Sequence, residues 1–215
     1  MSFSIQPWRI QDWFSFLPES QIKQFQVYAT HLVKTNQTMN LISPKSLPVL
    51  DLVHFADSVL ASQLVYQSTP GLTSIYDLGS GNGFPGMVFG IMYPEVSVTL
   101  VESDPKRAEF LKSTVTLLGR SNINVLHQTV ESIKDGAIQV AISRDFALLT
   151  KALITTRKCF ATGGVYYHLK GDEWSMEVSQ IPTQLCSQWD VALLGEYKLP
   201  STEFKLSVVR TRRIK

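Results

Sequence analysis

The stretch Ser74-Ile75-Tyr76-Asp77-Leu78-Gly79-Ser80-Gly81-Asn82-Gly83-Phe84-Pro85-Gly86 decides how this chain folds. Ile75, Tyr76 and Leu78 suit a short buried strand. Glycines at 79, 81 and 83 let the backbone take positive φ and approach a ligand closely. Pro85 fits the first turn of a helix, where a missing N–H is no loss. The free N–H groups at such a helix start predict a place for an anion or polar ligand group. A strand, a glycine loop and a helix in succession therefore predict an α/β sheet with a ligand at the loop. Three glycines with no ligand would lose chain entropy without a packing gain.

The spacing argues against a dinucleotide, so a nicotinamide-dependent oxidoreductase is the weaker reading. A G-x-G-x-x-G fingerprint needs its third glycine for close helix packing, but Phe84 stands at that position and Gly83 comes one step early. An acid, Asp77, precedes the loop by two residues. The resulting D-x-G-x-G-x-G pattern resembles motif I of class I S-adenosylmethionine (AdoMet) methyltransferases. AdoMet carries a sulfonium cation, an amino group and a carboxylate but no phosphate, so nearby acids and glycine backbone suit it.

Outward from this stretch, the rhythm is α/β. Expected strands lie at 75–78, 96–101, 123–127, 138–142 and 164–169. Helices are expected at 85–93, 105–119 and 150–160, with a short one near 131–134. This alternation predicts a mostly parallel, Rossmann-like sheet with helices on both faces. Two strand-like runs at the end, 188–199 and 203–212, predict an antiparallel hairpin closing the sheet. Ahead of the sheet, residues 1–66 read as an N-terminal helical extension, and 67–215 as the AdoMet-binding domain. Phe3, Ile5, Trp8 and Trp13 suit short helical turns ended by Pro18. Ile22, Phe25, Tyr28, Ala29, Leu32 and Val33 fall at helical steps between Glu19 and about Asn36. Leu47 to about Val65 reads as one further helix.

Composition sets the outer limits. The chain has 215 residues, 44% hydrophobic and 18% charged, ordinary values for a globular protein. No apolar run approaches the roughly 20 residues of a membrane span, and the N-terminus lacks a signal-peptide pattern. Cys159 and Cys186 have no metal or redox spacing. A cytoplasmic monomer with no membrane partner and no metal is expected. The net charge of +2 does not by itself point to nucleic acid.

Several polar residues sit where ligands bind in such sheets, beyond the carboxyl ends of the strands. Glu102 ends the second strand and is assigned to a ribose diol. Asp104 is assigned to capping the helix that starts at Pro105, and Lys106 and Arg107 to its solvated face. Val130 and Glu131 follow the third strand; Val130 could pack on an adenine, while Glu131 could equally serve the helix dipole. Arg144 follows the fourth strand and needs a partner, either a ligand carboxylate, an RNA phosphate or a structural acid. His54 reads as a satisfied core histidine, and His127 and His168 as isolated strand residues.

Taken together, these stretches resemble the RsmG family, also called glucose-inhibited division protein B, of bacterial 16S rRNA guanine-N7 methyltransferases. The matching pieces are Met39-Asn40-Leu41, His54-x-x-Asp57-Ser58, the glycine loop through Phe84-Pro85-Gly86, Glu102-Ser103 with Lys106-Arg107, Val130-Glu131, Ser143-Arg144-x-Phe146-Ala147 and Leu169-Lys170-Gly171. The resemblance implies AdoMet contacts at Gly79, Phe84, Val130, Glu131 and Arg144, alongside Gly81, Gly83 and Glu102 from the residues themselves. It implies a guanosine of the 530 loop of 16S rRNA as substrate, within a small-subunit particle. Two departures stand out: Val53 where the family usually has arginine, and Asp145 where it usually has alanine. Phosphate contacts are expected from Lys151, Arg157, Lys158, Lys170, Arg210, Arg212, Arg213 and Lys215. A non-enzymatic RNA-binding module on the same fold is the rival reading, and the intact Gly79, Gly81 and Glu102 argue against it.

Overall fold

The computed structural model describes residues 7–215, so the readings on Phe3 and Ile5 lie outside the described residues. Among the described residues, seven strands form one sheet: β1 (Ser74–Leu78), β2 (Ser97–Glu102), β3 (Ile123–His127), β4 (Ile138–Arg144), β5 (Phe160–Lys170), β6 (Trp189–Lys198) and β7 (Lys205–Arg213). Their order is β3-β2-β1-β4-β5-β7-β6. The first five strands are mutually parallel. The final hairpin is antiparallel, with β7 inserted between β5 and β6. The class expected from the sequence, a Rossmann-like mostly parallel sheet with helices ahead of it, is the observed one.

The helices are α1 (Ile10–Trp13), α2 (Glu19–Met39), α3 (Asp57–Gln67), α4 (Gly86–Met92), α5 (Pro105–Leu118), α6 (Leu149–Thr156), α7 (Trp174–Ser179) and α8 (Thr183–Cys186). None among the described residues is long and apolar enough to cross a membrane. α2 runs to Met39 and stops at Asn40, whose φ of 44° is the left-handed geometry of a helix C-cap. That explains the asparagine of Met39-Asn40-Leu41 without a ligand. α5 follows its expected capping: Asp104 accepts from Arg107 N at 2.9 Å and Pro105 fills the first position.

The structure departs from the sequence reading at several points, among them β5, which starts at Phe160 where the end of a helix was expected. Pro85 lies outside α4 as its flanking residue, and the helix starts at Gly86. The stretch from Leu47 is not one regular helix. It opens with a tight turn at Leu47–Val49, widens into a π-helical turn at Asp51–Ala56, and becomes α-helical only at Asp57. Asp51 is fully buried in that turn and is held by the Arg9 guanidinium at 2.8 and 2.9 Å and by Arg9 N at 3.0 Å. α7 and α8, between β5 and β6, had no signal in the sequence strong enough to assign.

Apolar side chains bury on both faces of the sheet. One core joins Ile10, Phe25, Phe55 and Val59 from the N-terminal helices to Ile75, Val98, Met87 and Phe89. The other joins Leu78, Val101 and Ala141 to Leu149, Leu153, Phe160 and Trp189. Each large side chain so buried contributes about 1.5–3 kcal/mol.

Candidate functional site

The chain winds from β1 toward β2 on one side and from β4 toward β5 on the other. β1 and β4 are neighbours, with Asp77 opposite Ile142. Their carboxyl ends therefore part at a switch point, the usual ligand crevice of such sheets. The glycine loop sits there, with φ of 69° at Gly79, 57° at Gly81 and 99° at Gly83. Gly79 N and Ser80 N both donate to Val101 O at 3.0 Å. A Cβ on Gly79 would lie 2.6 Å from the Phe146 ring, and one on Gly83 would lie 2.6 Å from the Tyr28 hydroxyl. That hydroxyl also donates to Asn82 O. The loop is thus pinned from α2 below and faced by Phe146 across the crevice.

Two acids shape the loop from behind. Glu102 accepts from Gly81 N at 2.7 Å with one oxygen and from Asp104 N at 2.8 Å with the other. Asp77 is fully buried, and burial pushes its carboxyl up to about 7. Its Oδ2 accepts from Gly86 N at 3.0 Å, while Oδ1 is buried without a partner. This corrects one expectation: the N–H of Gly86 at the start of α4 is taken by the protein's own carboxylate, not left open to a ligand.

On the open side, Gly79, Val130 and Glu131 come together with Phe146 and Lys151 around a cleft of about 290 Å³. Val130 is buried and Glu131 exposed. Phe84 does not line this cleft. Its side chain turns inward, stacked on Tyr28 at 5.1 Å and on His54 at 5.1 Å.

Arg144 also faces away from that cleft. Its Nη1 donates to Asp57 Oδ2 at 2.9 Å and to Val53 O at 3.3 Å, and its Nη2 donates to His54 Nδ1 at 2.8 Å. The guanidinium stands 5.3 Å over the Phe84 ring. A structural acid was one of the partners weighed from the sequence, and Asp57 is such an acid. Tyr197 donates to the other Asp57 oxygen at 2.6 Å. Burial, helped by Arg144, pushes His54 down to about 3. A guanidinium has no acceptor, so Nδ1 accepts and the proton rests on Nε2, which is buried without a partner. Asp145 follows with a φ of 56°, a region Asp tolerates better than most residues.

These groups border a second cavity of about 370 Å³, walled by Val53, Tyr197, Leu199, Phe204 and Leu206. Tyr197 carried no signal in the sequence; only the hairpin fold brings it to Asp57. Of the phosphate contacts expected, Lys170 is spent on Glu177 at 2.8 Å and Ala147 O at 3.0 Å. Arg210 pairs with Asp190, and Arg213 lies over Trp189. Lys151, Arg157, Lys158, Arg212 and Lys215 are exposed. His168 is buried against Thr211 at 3.0 Å and pushed down by burial to about 3, and His127 is exposed.

Comparison with known proteins gives the same fold and a family. Residues 21–194 match the GidB family, described as rRNA small subunit methyltransferase G. Ribosomal RNA small subunit methyltransferase G 3 of Bdellovibrio bacteriovorus is 49% identical over 207 residues, covering 96% of this chain and 94% of that protein. The corresponding protein of Staphylococcus haemolyticus is 31% identical over 194 residues, covering 88% and 78%. Among solved structures, a mutant of MtNAS in complex with S-adenosylmethionine has a TM-score of 0.60 at 13% identity, covering 96% of this chain and 80% of that one. A predicted O-methyltransferase from Agrobacterium tumefaciens has a TM-score of 0.55 at 20% identity, covering 73% and 80%.

Proposed function

The chain belongs to the GidB family, rRNA small subunit methyltransferase G, and on that premise we propose that it methylates N7 of a guanosine in the 530 loop of 16S rRNA, with AdoMet as donor. The observation that carries the reading is the glycine loop at the switch point, with Gly79, Val130 and Glu131 on one cleft. The residues fit AdoMet. Gly79 is a cradle that a Cβ would obstruct, Val130 offers an apolar wall, Glu131 offers a carboxylate suited to amino and hydroxyl groups, and Glu102 holds the loop in shape through Gly81 N. Bound there, AdoMet would supply an electrophilic methyl group on its sulfonium, whose sulfur would keep the electron pair and leave as a neutral thioether.

The chain's own part is positioning. Guanine N7 has a free lone pair and no proton, so no side chain need act as a base. His54 agrees with this: its Nδ1 is engaged by Arg144 and its ring is held neutral. Phe84 and Arg144, implied as AdoMet contacts by the family, stand together beside the glycine loop, the guanidinium 5.3 Å over the ring. Gly81 and Gly83 set the loop's course, the first held by Glu102. Rate then comes from in-line placement of the base against the methyl group.

We read the substrate as a small-subunit particle and the enzyme as a cytoplasmic monomer. Both sheet edges discourage pairing with another copy: β3 is short, and β6 carries a bulge between Leu193 and Gly195. The experiment is to map N7-methylguanosine in 16S rRNA with and without this chain, and to repeat transfer with purified protein and labelled AdoMet. The modification should depend on the chain. An unchanged methylation map, or methyl label at another atom, would overturn the N7 assignment.

A further inference from the structure

We propose that the second cavity, between the π-helical turn, the end of β4 and the β6–β7 hairpin, receives the target purine; the inference rests on the methyl-transfer reading above. Four observations carry it. First, position. Asp145 borders this cavity, while Phe146 and Ala147, the next residues, border the cleft of Gly79 and Val130. The two spaces thus adjoin at the connection between β4 and α6, and in-line transfer needs donor and acceptor side by side.

Second, the walls. Val53, Leu199, Leu206 and the Tyr197 and Phe204 rings give apolar and aromatic surfaces for a flat heterocycle. Phe204 is 69% exposed, an unusual place for a phenylalanine without a partner. Exposed aromatics that stack on unpaired bases are a common device of RNA recognition. The volume of about 370 Å³ lies in the range of small-ligand sites.

Third, the polar end. Asp57, Tyr197, Arg144 and His54 hold one another in fixed positions at one end of the cavity. Fourth, charge. When the N7 lone pair takes the methyl group, the positive charge passes to the base. The Asp145 carboxylate, 92% exposed and 3.8 Å from Arg144 Nε, stands at this cavity to balance it.

The test compares wild type with Phe204→Ala and Leu206→Trp. Three quantities are measured: methyl transfer to small-subunit particles at saturating AdoMet, AdoMet affinity by calorimetry, and the melting curve. Phe204→Ala removes an exposed ring and leaves the core alone. It should lower kcat/KM for the particle about 5- to 150-fold, the worth of one base stack. Leu206→Trp fills the cavity and should abolish transfer. AdoMet affinity should hold in both. Transfer within about two-fold of wild type for both variants overturns the base site, as does a matching loss of AdoMet affinity, which would make the cavity part of the donor site. A wild type that methylates no particle instead defeats the methyl-transfer reading, and this inference with it.

Discussion

Burial holds the Asp77 carboxyl at about 7 against its ordinary 3.8, although the Gly86 N–H and Arg144 pull the other way. Between those two values the folded chain keeps a proton that the unfolded chain has lost. Stability therefore falls as pH rises from about 4 to about 7 and levels above, by something on the order of a few kcal/mol. Asp77→Asn keeps an acceptor for Gly86 N and cannot ionise, so its melting temperature should lose that decline. Melting curves of both proteins from pH 4 to 8 test this, and an equal decline in the variant contradicts it. Glu102 makes a second prediction. Glu102→Ala strips the acceptor from Gly81 N, which shapes the loop, and should weaken AdoMet by about 1.5–3 kcal/mol. Asp104→Ala removes only the α5 cap and should leave that affinity unchanged; calorimetry on both decides between the two acids. At this scale the sequence was most legible where causes are local. The positive φ of the glycines and the Asp104 cap belong to the local backbone, whereas the contacts of the loop with Phe146 and Tyr28 do not. The partner of Arg144 was not legible, because Asp57 lies 87 residues away along the chain.

The π-helical turn and α3 make Arg144 an element of structure as well as of the site. Asp57 is 4% exposed and has two partners, Arg144 and Tyr197. Arg144→Ala leaves a buried carboxylate with one neutral hydroxyl, a change that costs about 3–5 kcal/mol. Its melting temperature should fall well below wild type. Arg144→Lys, which keeps the charge but not the fork of donors, should fall less. Equal melting for the wild type and both variants would mean that the buried pair contributes nothing. The turn itself could not be read from the sequence. Its helical spacing of Leu50, Val53, Asp57 and Leu60 looks regular, and only Asp51, drawn to Arg9 across 42 residues, marks the departure. The strands of the sheet were legible because apolar runs and turns alternate at a steady interval. α7 and α8 were not, being short and docked mainly through side chains such as Glu177 on Lys170.

Across the whole molecule, the N-terminal helices and the sheet share one core. Phe55 touches Trp8, Phe25, Tyr28 and Phe84, the last on the glycine loop itself. A chain trimmed to residues 67–215 would bare that face of the sheet. We expect it to lose cooperative melting and to bind a hydrophobic dye, whereas the full chain should melt in one transition. A sharp, dye-free transition for the trimmed chain would show that the sheet stands alone. The helices were legible as helices, but their union with the sheet was not, since amphipathic spacing says that a face is buried and not against what. That union has a thermodynamic consequence. Tyr28 reaches from α2 to the loop through the Asn82 carbonyl and the Phe84 ring. Whatever occupies the loop therefore raises the free energy of opening α2 as well. Hydrogen exchange read by mass spectrometry should register AdoMet as slowed deuterium uptake in residues 22–32, a segment that borders neither cavity. The N-terminal helices would then be a reporter of occupancy, and unchanged uptake there would show that loop and helix open independently.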